Sequence, residues 1–288
     1  MHPRIDTALV ARLIATQFPQ WAGLPLRPVA AAGSDNVMYR LGETMVVRLP
    51  RAAWAGAHVE REQRWLPRLA PHLPLAVPVL LGAGTPAEGY PWRWSVYEWL
   101  DGESVAVRPL ADPGKGAVQL AEFIVALQRV DPLDGPRPGE SLADRDEATR
   151  AAIAELSGEF DADGLRAAWD AAMEAPEWAG PPVWGHGDLH PGNLLAVDGR
   201  LSAVIDFGDV AVGDPARDVT IAWTLMSAES RAVFRAALPV DEATWTRGRG
   251  WALTGGALAF TAYAATDPII AANVRRQLTE VLTDQARG

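Results

Sequence analysis

The sequence predicts an α+β protein whose strands and helices are segregated along the chain. Three observations carry this expectation. Short β-prone runs cluster in the first hundred residues, amphipathic helical patterns fill most of the rest, and one tight hairpin interrupts the helices near residue 200. At 288 residues the chain is long enough for two packed lobes, each with its own core. We expect a division into 1–99, a small β-rich lobe with one main helix, and 100–288, a larger and mostly helical lobe.

Residues 6–18 alternate polar and apolar groups at helical spacing and predict a first helix. Runs 26–32, 37–41 and 44–49 read as strands, separated by turns at Gly33-Ser34-Asp35-Asn36 and Gly42-Glu43. The run HVEREQRWL predicts the main helix of the first lobe. Pro67, Pro71, Pro74 and Pro78 are expected to end it and lead into a strand at 79–81. Residues 94–100 are apolar and β-prone, and 101–115 is expected to be a crossover loop. Helices are predicted over 116–129, 142–156 and 162–173, with the Pro/Gly-rich 131–139 as a linker. Residues 194–205 alternate as two short strands around Asp198-Gly199, a dipeptide that tolerates positive φ at both turn positions. Asp214 and Pro215 read as N-cap and first residue of another helix. Helical patterns at 220–226, 231–237, 241–265 and 268–286 close the chain.

Composition excludes several classes. Hydrophobic residues at 49% exclude a disordered chain, and a net charge of −10 argues against a nucleic-acid or anionic-membrane binder. The absence of cysteine excludes disulfides and thiolate metal sites and fits a reducing cytoplasm. The N-terminus lacks the pattern of a signal peptide, and the longest apolar run, 250–266, is shorter than the ~20 residues that span a bilayer. The expectation is a soluble, cytoplasmic protein, as a monomer or homodimer.

The richest chemistry lies in WGHGDLHPGNLLAVDGRLSAVIDFGD, residues 184–209. With Asp198-Gly199 as the loop, Asn193 falls opposite Val204, and Asp206 lies two residues further on the same face. Diagonal neighbours on one sheet face are roughly 7–8 Å apart, a gap two oxygen ligands can share around one ion. Asp188 precedes the hairpin in a loop braked by Pro191 and Gly192. Oxygen donors without sulfur suit a hard cation such as Mg2+, and an unliganded carboxylate beside it suits a base or an orienting group for a hydroxyl. The alternation of His186, Asp188 and His190 also admits a transition-metal site, which would leave Asn193 and Asp206 without a role.

HGDLHPGNLL followed by IDFGD closely resembles the aminoglycoside phosphotransferase and choline kinase-like small-molecule kinases, with similarity from about Gly33 to Asp218. The resemblance implies a bilobal protein-kinase-like fold that uses ATP or GTP with Mg2+, the first lobe binding the nucleotide and the second carrying catalysis and substrate. By position it makes Asp188 the catalytic aspartate and Asn193 and Asp206 the metal ligands. The strand at 44–49 matches the place where kinases hold a phosphate-binding lysine. Here it carries Arg48, and the single lysine, Lys115, lies in another segment. Glu62 aligns with the glutamate that partners that residue, whereas Glu60 points about 200° away on the helix. Main-chain groups around Ser34 and Asp35 are phosphate-binding candidates, and those near Glu98 and Leu100 would meet the adenine edge. Asp218 is expected to brace the catalytic loop, with a solvent-facing first-turn acid as the alternative.

Protein kinases end their activation segment in Ala-Pro-Glu, and none occurs after Asp206-Phe207-Gly208. The resemblance therefore implies transfer of a γ-phosphate to a hydroxyl of a small molecule. The family match and the acidic chain point to a cationic, aminoglycoside-like antibiotic, hence a resistance enzyme, with Asp209 and Asp267 holding its amines. The alternatives are an orphan metabolic kinase acting on choline, an amino-sugar or a sugar, and a catalytically weak ligand-binding relative.

Overall fold

The computed structural model describes residues 4–29 and 35–286. It comprises two compact units: Met1–Gly102 with Ala203–Val210, and Glu103–Ser202 with Ala211–Gly288.

The first unit opens with α1 (Thr7–Gln17), capped by Asp6, whose carboxylate accepts the Leu9 N–H at 2.9 Å. Strands β1 (Leu26–Pro28), β2 (Asn36–Leu41) and β3 (Met45–Pro50) follow, then α2 (Ala53–Leu69), β4 (Leu80–Gly84) and β5 (Trp94–Glu98). They form one antiparallel sheet in the order β1-β2-β3-β5-β4. An eleven-residue helix is marginal alone. α1 persists because Leu9, Val10, Leu13 and Ile14 are buried against Tyr39, Leu41, Val47, Leu49, Trp94 and Val96 of the sheet. Each such side chain contributes roughly 1.5–3 kcal/mol of burial. The opposite face carries Arg48 beside Ser95 and Val46 beside Tyr97, and α2 covers it. Gln63 of α2 donates to Ser95 Oγ and to the Trp94 carbonyl, both at 2.9 Å.

Several boundaries differ from expectation. α2 runs through Pro67 to Leu69, because a proline in the last turn removes one hydrogen bond close to where the ladder stops anyway. β4 starts at Leu80 and extends to Gly84, with a register shift between Leu80 and Gly82. Part of the expected 26–32 strand falls on residues 30–34, outside the described residues, and β1 is assigned to Leu26–Pro28 alone.

The second unit contains β6 (Glu103–Ser104), α3 (Pro113–Gln128), α4 (Asp146–Glu155), α5 (Ala162–Glu174), β7 (Val183–Gly185), β8 (Leu194–Val197), β9 (Arg200–Val204) and β10 (Ala211–Gly213). The last two residues of β9 pass into the first unit. Helices α6 (Ala216–Val219), α7 (Ile221–Thr224), α8 (Ala228–Ala237), α9 (Glu242–Tyr263) and α10 (Pro268–Gln285) complete it. α9 is the central helix, packed by α10, α5, α6 and α4. Its glycines permit this crowding: a Cβ on Gly248 would sit 2.8 Å from Val219 and 3.0 Å from the Ala216 carbonyl. Among the described residues no helix is long and apolar enough to cross a membrane.

Candidate active site

In the first unit, Arg48 and the Asp206-Phe207 turn converge on Glu62. Its carboxylate is 1% exposed and holds three donors. Arg48 reaches Oε2 at 2.7 Å, the Tyr97 hydroxyl reaches the same oxygen at 2.9 Å, and the Phe207 N–H donates to Oε1 at 3.1 Å. The fork of Arg48 continues to Asp206, whose Oδ1 accepts its other terminal nitrogen at 2.6 Å. With the Asn36 amide turned to satisfy its donors, its oxygen accepts from Nε and a terminal nitrogen of Arg48 at 3.1 Å. Burial pulls the Arg48 guanidinium toward the neutral form, but the Glu62 and Asp206 carboxylates more than offset it, so its pKa is raised and it stays charged. The same burial, reinforced by the Glu62 charge, pushes the Tyr97 phenol well above its ordinary value and keeps it a donor. Glu60 lies on the exposed side of α2, paired with Arg93 at 3.0 Å.

Asp206 has φ 66° and ψ 71°. Aspartate visits this left-handed region more readily than most residues, still at a cost of about 1–3 kcal/mol. The hydrogen bond from the next N–H to Glu62 and the grip of Arg48 hold the turn there. Gly208 lets the turn approach α2, since a Cβ would lie 2.8 Å from His58 Cβ. Asp209 faces α2 as well, with Oδ1 3.6 Å from His58 and 3.8 Å from Arg61.

Glu98 is exposed and its N–H is engaged by the Val79 carbonyl at 3.0 Å, while the Trp99 N–H meets Thr44 at 2.8 Å. Among the described residues, Leu100 is the first position beyond β5 whose N–H enters no main-chain hydrogen bond. The Glu98 carbonyl and Leu100 N–H are thus the groups a planar base edge could meet. Asp35 is half-buried in the turn before β2, and its carbonyl accepts the Arg51 N–H at 2.8 Å. Ser34 lies outside the described residues.

In the second unit, β7 pairs with β10 and delivers the chain to the loop at 186–193. Asp218, one turn into the helical segment that follows β10, is 1% exposed. It accepts the His186 N–H at 2.7 Å and the Gly187 N–H at 2.8 Å. Full burial pushes its carboxyl above the usual range, against the pull of His186 and those two N–H groups. His186 is fully buried, and its Nδ1 accepts the Asp188 N–H at 3.3 Å. The loop therefore presents Asp188, 48% exposed, from a backbone fixed on three sides. Asn193 donates its amide to both the Asp188 carbonyl and Oδ2, each at 3.0 Å. This leaves the Asn193 amide oxygen as the acceptor end. His190 accepts the Gly192 N–H through Nδ1 at 3.0 Å. Its Nε2 stands 3.6 Å from Asp188 Oδ2. No spacing rule marks that approach, because it depends on the 3-10 turn at Pro191–Asn193.

Asp267 is the N-cap of α10, with Oδ1 accepting the Ile269 and Ile270 N–H groups at 2.9 and 3.0 Å. Asp214 accepts the Ala216 N–H at 2.9 Å and is clasped by Arg247 at 2.7 Å.

The donor set fits a hard divalent cation. Asp206, in the first unit, offers a carboxylate that is 35% exposed, Asn193, in the second, offers an amide oxygen, and the chain has no cysteine thiolate. Among the described residues no group of three or more His, Cys, Asp or Glu side chains could hold a metal. A carboxylate and an amide oxygen are each donors of the kind that Mg2+ takes.

The family model described as "Phosphotransferase enzyme family" matches residues 26–251. No curated protein matches the chain. Among solved structures, the GDP complex of wild-type aminoglycoside 2′-phosphotransferase-IIIa is 20% identical, with a TM-score of 0.73 over 97% of this chain and 100% of that one. The GDP and kanamycin complex of APH(2″)-IIIa is 19% identical, TM-score 0.71, over 96% and 98%. The macrolide 2′-phosphotransferase of Brachybacterium faecium is 25% identical, TM-score 0.62, over 94% and 97%. The fold is that of these kinase-like enzymes.

Proposed function

The chain belongs to the phosphotransferase enzyme family, and on that premise we propose that it moves the γ-phosphate of ATP or GTP to a hydroxyl of a small molecule, an aminoglycoside-like antibiotic being the acceptor class. The observation that carries the reading is the Asp188 loop. An exposed carboxylate is presented from a backbone pinned by a buried acid, and one of its oxygens is oriented by Asn193.

The roles follow from those contacts. Asp188 Oδ2 is engaged by Asn193, so Oδ1 is the oxygen that accepts or orients the proton of the acceptor hydroxyl. Asn193 and Asp206 would hold Mg2+, which when bound neutralises charge on the phosphates. Arg48 is the cation available to phosphate oxygens, its planar fork replacing the point charge of a lysine. The Glu98 carbonyl and Leu100 N–H are the adenine- or guanine-edge candidates, and Ser34 and Asp35 belong to the loop assigned to phosphates.

A second reading has its own support. Asp209 faces His58 and Arg61, and Asp267 caps a helix, so neither carboxylate stands uncommitted for an amine. The relative at 25% identity is a macrolide phosphotransferase. A larger, less cationic acceptor fits these two facts better than a polyamine does.

Purified protein incubated with labelled ATP or GTP and a panel of aminoglycosides, macrolides, choline and sugars separates the readings. Asp188→Ala should lower turnover roughly 10²–10⁴-fold, the usual range for a positioned acid–base group, with nucleotide affinity retained. Wild-type turnover in that variant would remove Asp188 from the chemistry. Transfer to uncharged acceptors alone would remove the amine-binding part of the proposal.

A further inference from the structure

The three nitrogens of Arg48 leave little of its guanidinium uncommitted. One terminal nitrogen is on Glu62 at 2.7 Å, the other on Asp206 at 2.6 Å, and Nε faces the Asn36 amide oxygen at 3.1 Å. The side chain is 12% exposed, so water does little to screen these contacts. Two of the partners are anchored. Glu62 is held by Tyr97 and the Phe207 N–H on a buried face of α2, and Asp206 sits in a left-handed turn tied to the same glutamate. The arginine is thus the movable member of the set: a long side chain among fixed acceptors.

One consequence concerns Asp206 Oδ1. A guanidinium 2.6 Å from Oδ1 offsets the carboxylate's charge and repels a divalent cation brought to either of its oxygens. We propose that Arg48 is a latch on the metal site: without nucleotide it bridges Glu62 to Asp206 and keeps a divalent cation off Asp206, and polyphosphate oxygens draw it away, so that metal and nucleotide bind interdependently. Phosphate is a suitable competitor. It offers the fork a doubly accepting partner of the geometry arginine prefers, while the second terminal nitrogen can stay on Glu62. A planar fork spans two carboxylates whose separation a single ammonium group would bridge less well. The arginine at this position therefore has a function of its own.

The inference rests on Asp206 being a metal ligand, as in the proposed function, and its test reads metal binding rather than turnover. Mn2+ binding would be followed by electron paramagnetic resonance, without nucleotide, on the wild type, Arg48→Gln, Arg48→Met and Arg48→Gln/Asp206→Asn. Glutamine keeps a donor for Glu62 but carries no charge to occupy Asp206. Arg48→Gln should bind Mn2+ at least tenfold more tightly than the wild type, and the double variant should lose that gain. Melting curves with and without Mn2+ give an independent readout, with no shift expected for the nucleotide-free wild type. A wild type that takes Mn2+ as tightly as the variants, or a gain that survives Asp206→Asn, overturns the latch. Should both Arg48 variants fail to fold, the wild-type measurement decides, because a nucleotide-free Mn2+ site of micromolar affinity is incompatible with it. Failure of the functional reading looks different: the Mn2+ gain would appear while no acceptor in the panel was phosphorylated.

Discussion

Asp218 is a carboxylate that water does not reach, held in place by two main-chain N–H groups of a loop it never leaves. Its folded pKa is raised by burial above the ordinary carboxylate value. The folded chain therefore binds this proton more readily than the unfolded chain does. The resulting stability is fully present below the unfolded pKa and is lost as pH rises through the folded one. Asp218→Asn removes that dependence. It also turns an amide donor toward one of the two N–H groups, which costs about 1–3 kcal/mol. Urea denaturation across pH should show the wild-type advantage over Asp218→Asn shrinking as pH climbs through that window. A pH-independent difference would mean that Asp218 does not titrate there. In sequence the family resemblance makes this residue a brace for the catalytic loop, with a surface acid an open alternative. Burial against Gly185 at the end of β7 and the main chain of His186 and Gly187 decides between the two, and that contact is non-local.

At the scale of elements, periodicity and turn chemistry located most of the helices to within a few residues, together with the β8–β9 hairpin. Asp198 and Gly199 take φ of 51° and 72°, the paired positive values a two-residue hairpin turn requires. Ser202 Oγ donates to the Leu195 carbonyl at 3.1 Å, in keeping with the expected register. What pattern reading missed were β6 and the β7/β10 ribbon, two and three residues long per strand. Strands so short carry no period, and they exist because a partner supplies their hydrogen bonds. Asp267 is the informative case among the helix ends. It was selected as a charge near a substrate, and the structure gives it two N–H groups of α10 to accept. Asp267→Ala should lower stability by about 1 kcal/mol, the usual loss of a helix cap, measured by thermal or urea melts. If KM for a cationic acceptor also rises while the fold stays intact, the carboxylate has the second role first assigned to it.

At the scale of the whole molecule, the net charge of −10 sets a field that attracts cations and weakens with salt. For a polycationic acceptor, KM should rise several-fold between low and physiological ionic strength with kcat little changed. For a macrolide-like or neutral acceptor it should stay nearly flat. Steady-state kinetics over a salt series thus reads the acceptor class independently of the substrate panel, and a flat profile with an aminoglycoside would remove charge steering from the account.

The candidate site was legible in the chain because its parts are local. Asp188 and Asn193 are five residues apart and meet through a turn their own loop encodes, while Asp206-Phe207-Gly208 follows a hairpin whose turn residues announce it. Arg48 is different. Its strand and its Glu62 partner follow from the family resemblance, but its second partner, Asp206, lies 158 residues away, and no sequence period relates a strand arginine to a turn that distant. Only folding the sheet against α2 and returning Ala203–Val210 to it put a guanidinium between two carboxylates. Electrostatics acts through distance in space, which the order of residues does not encode.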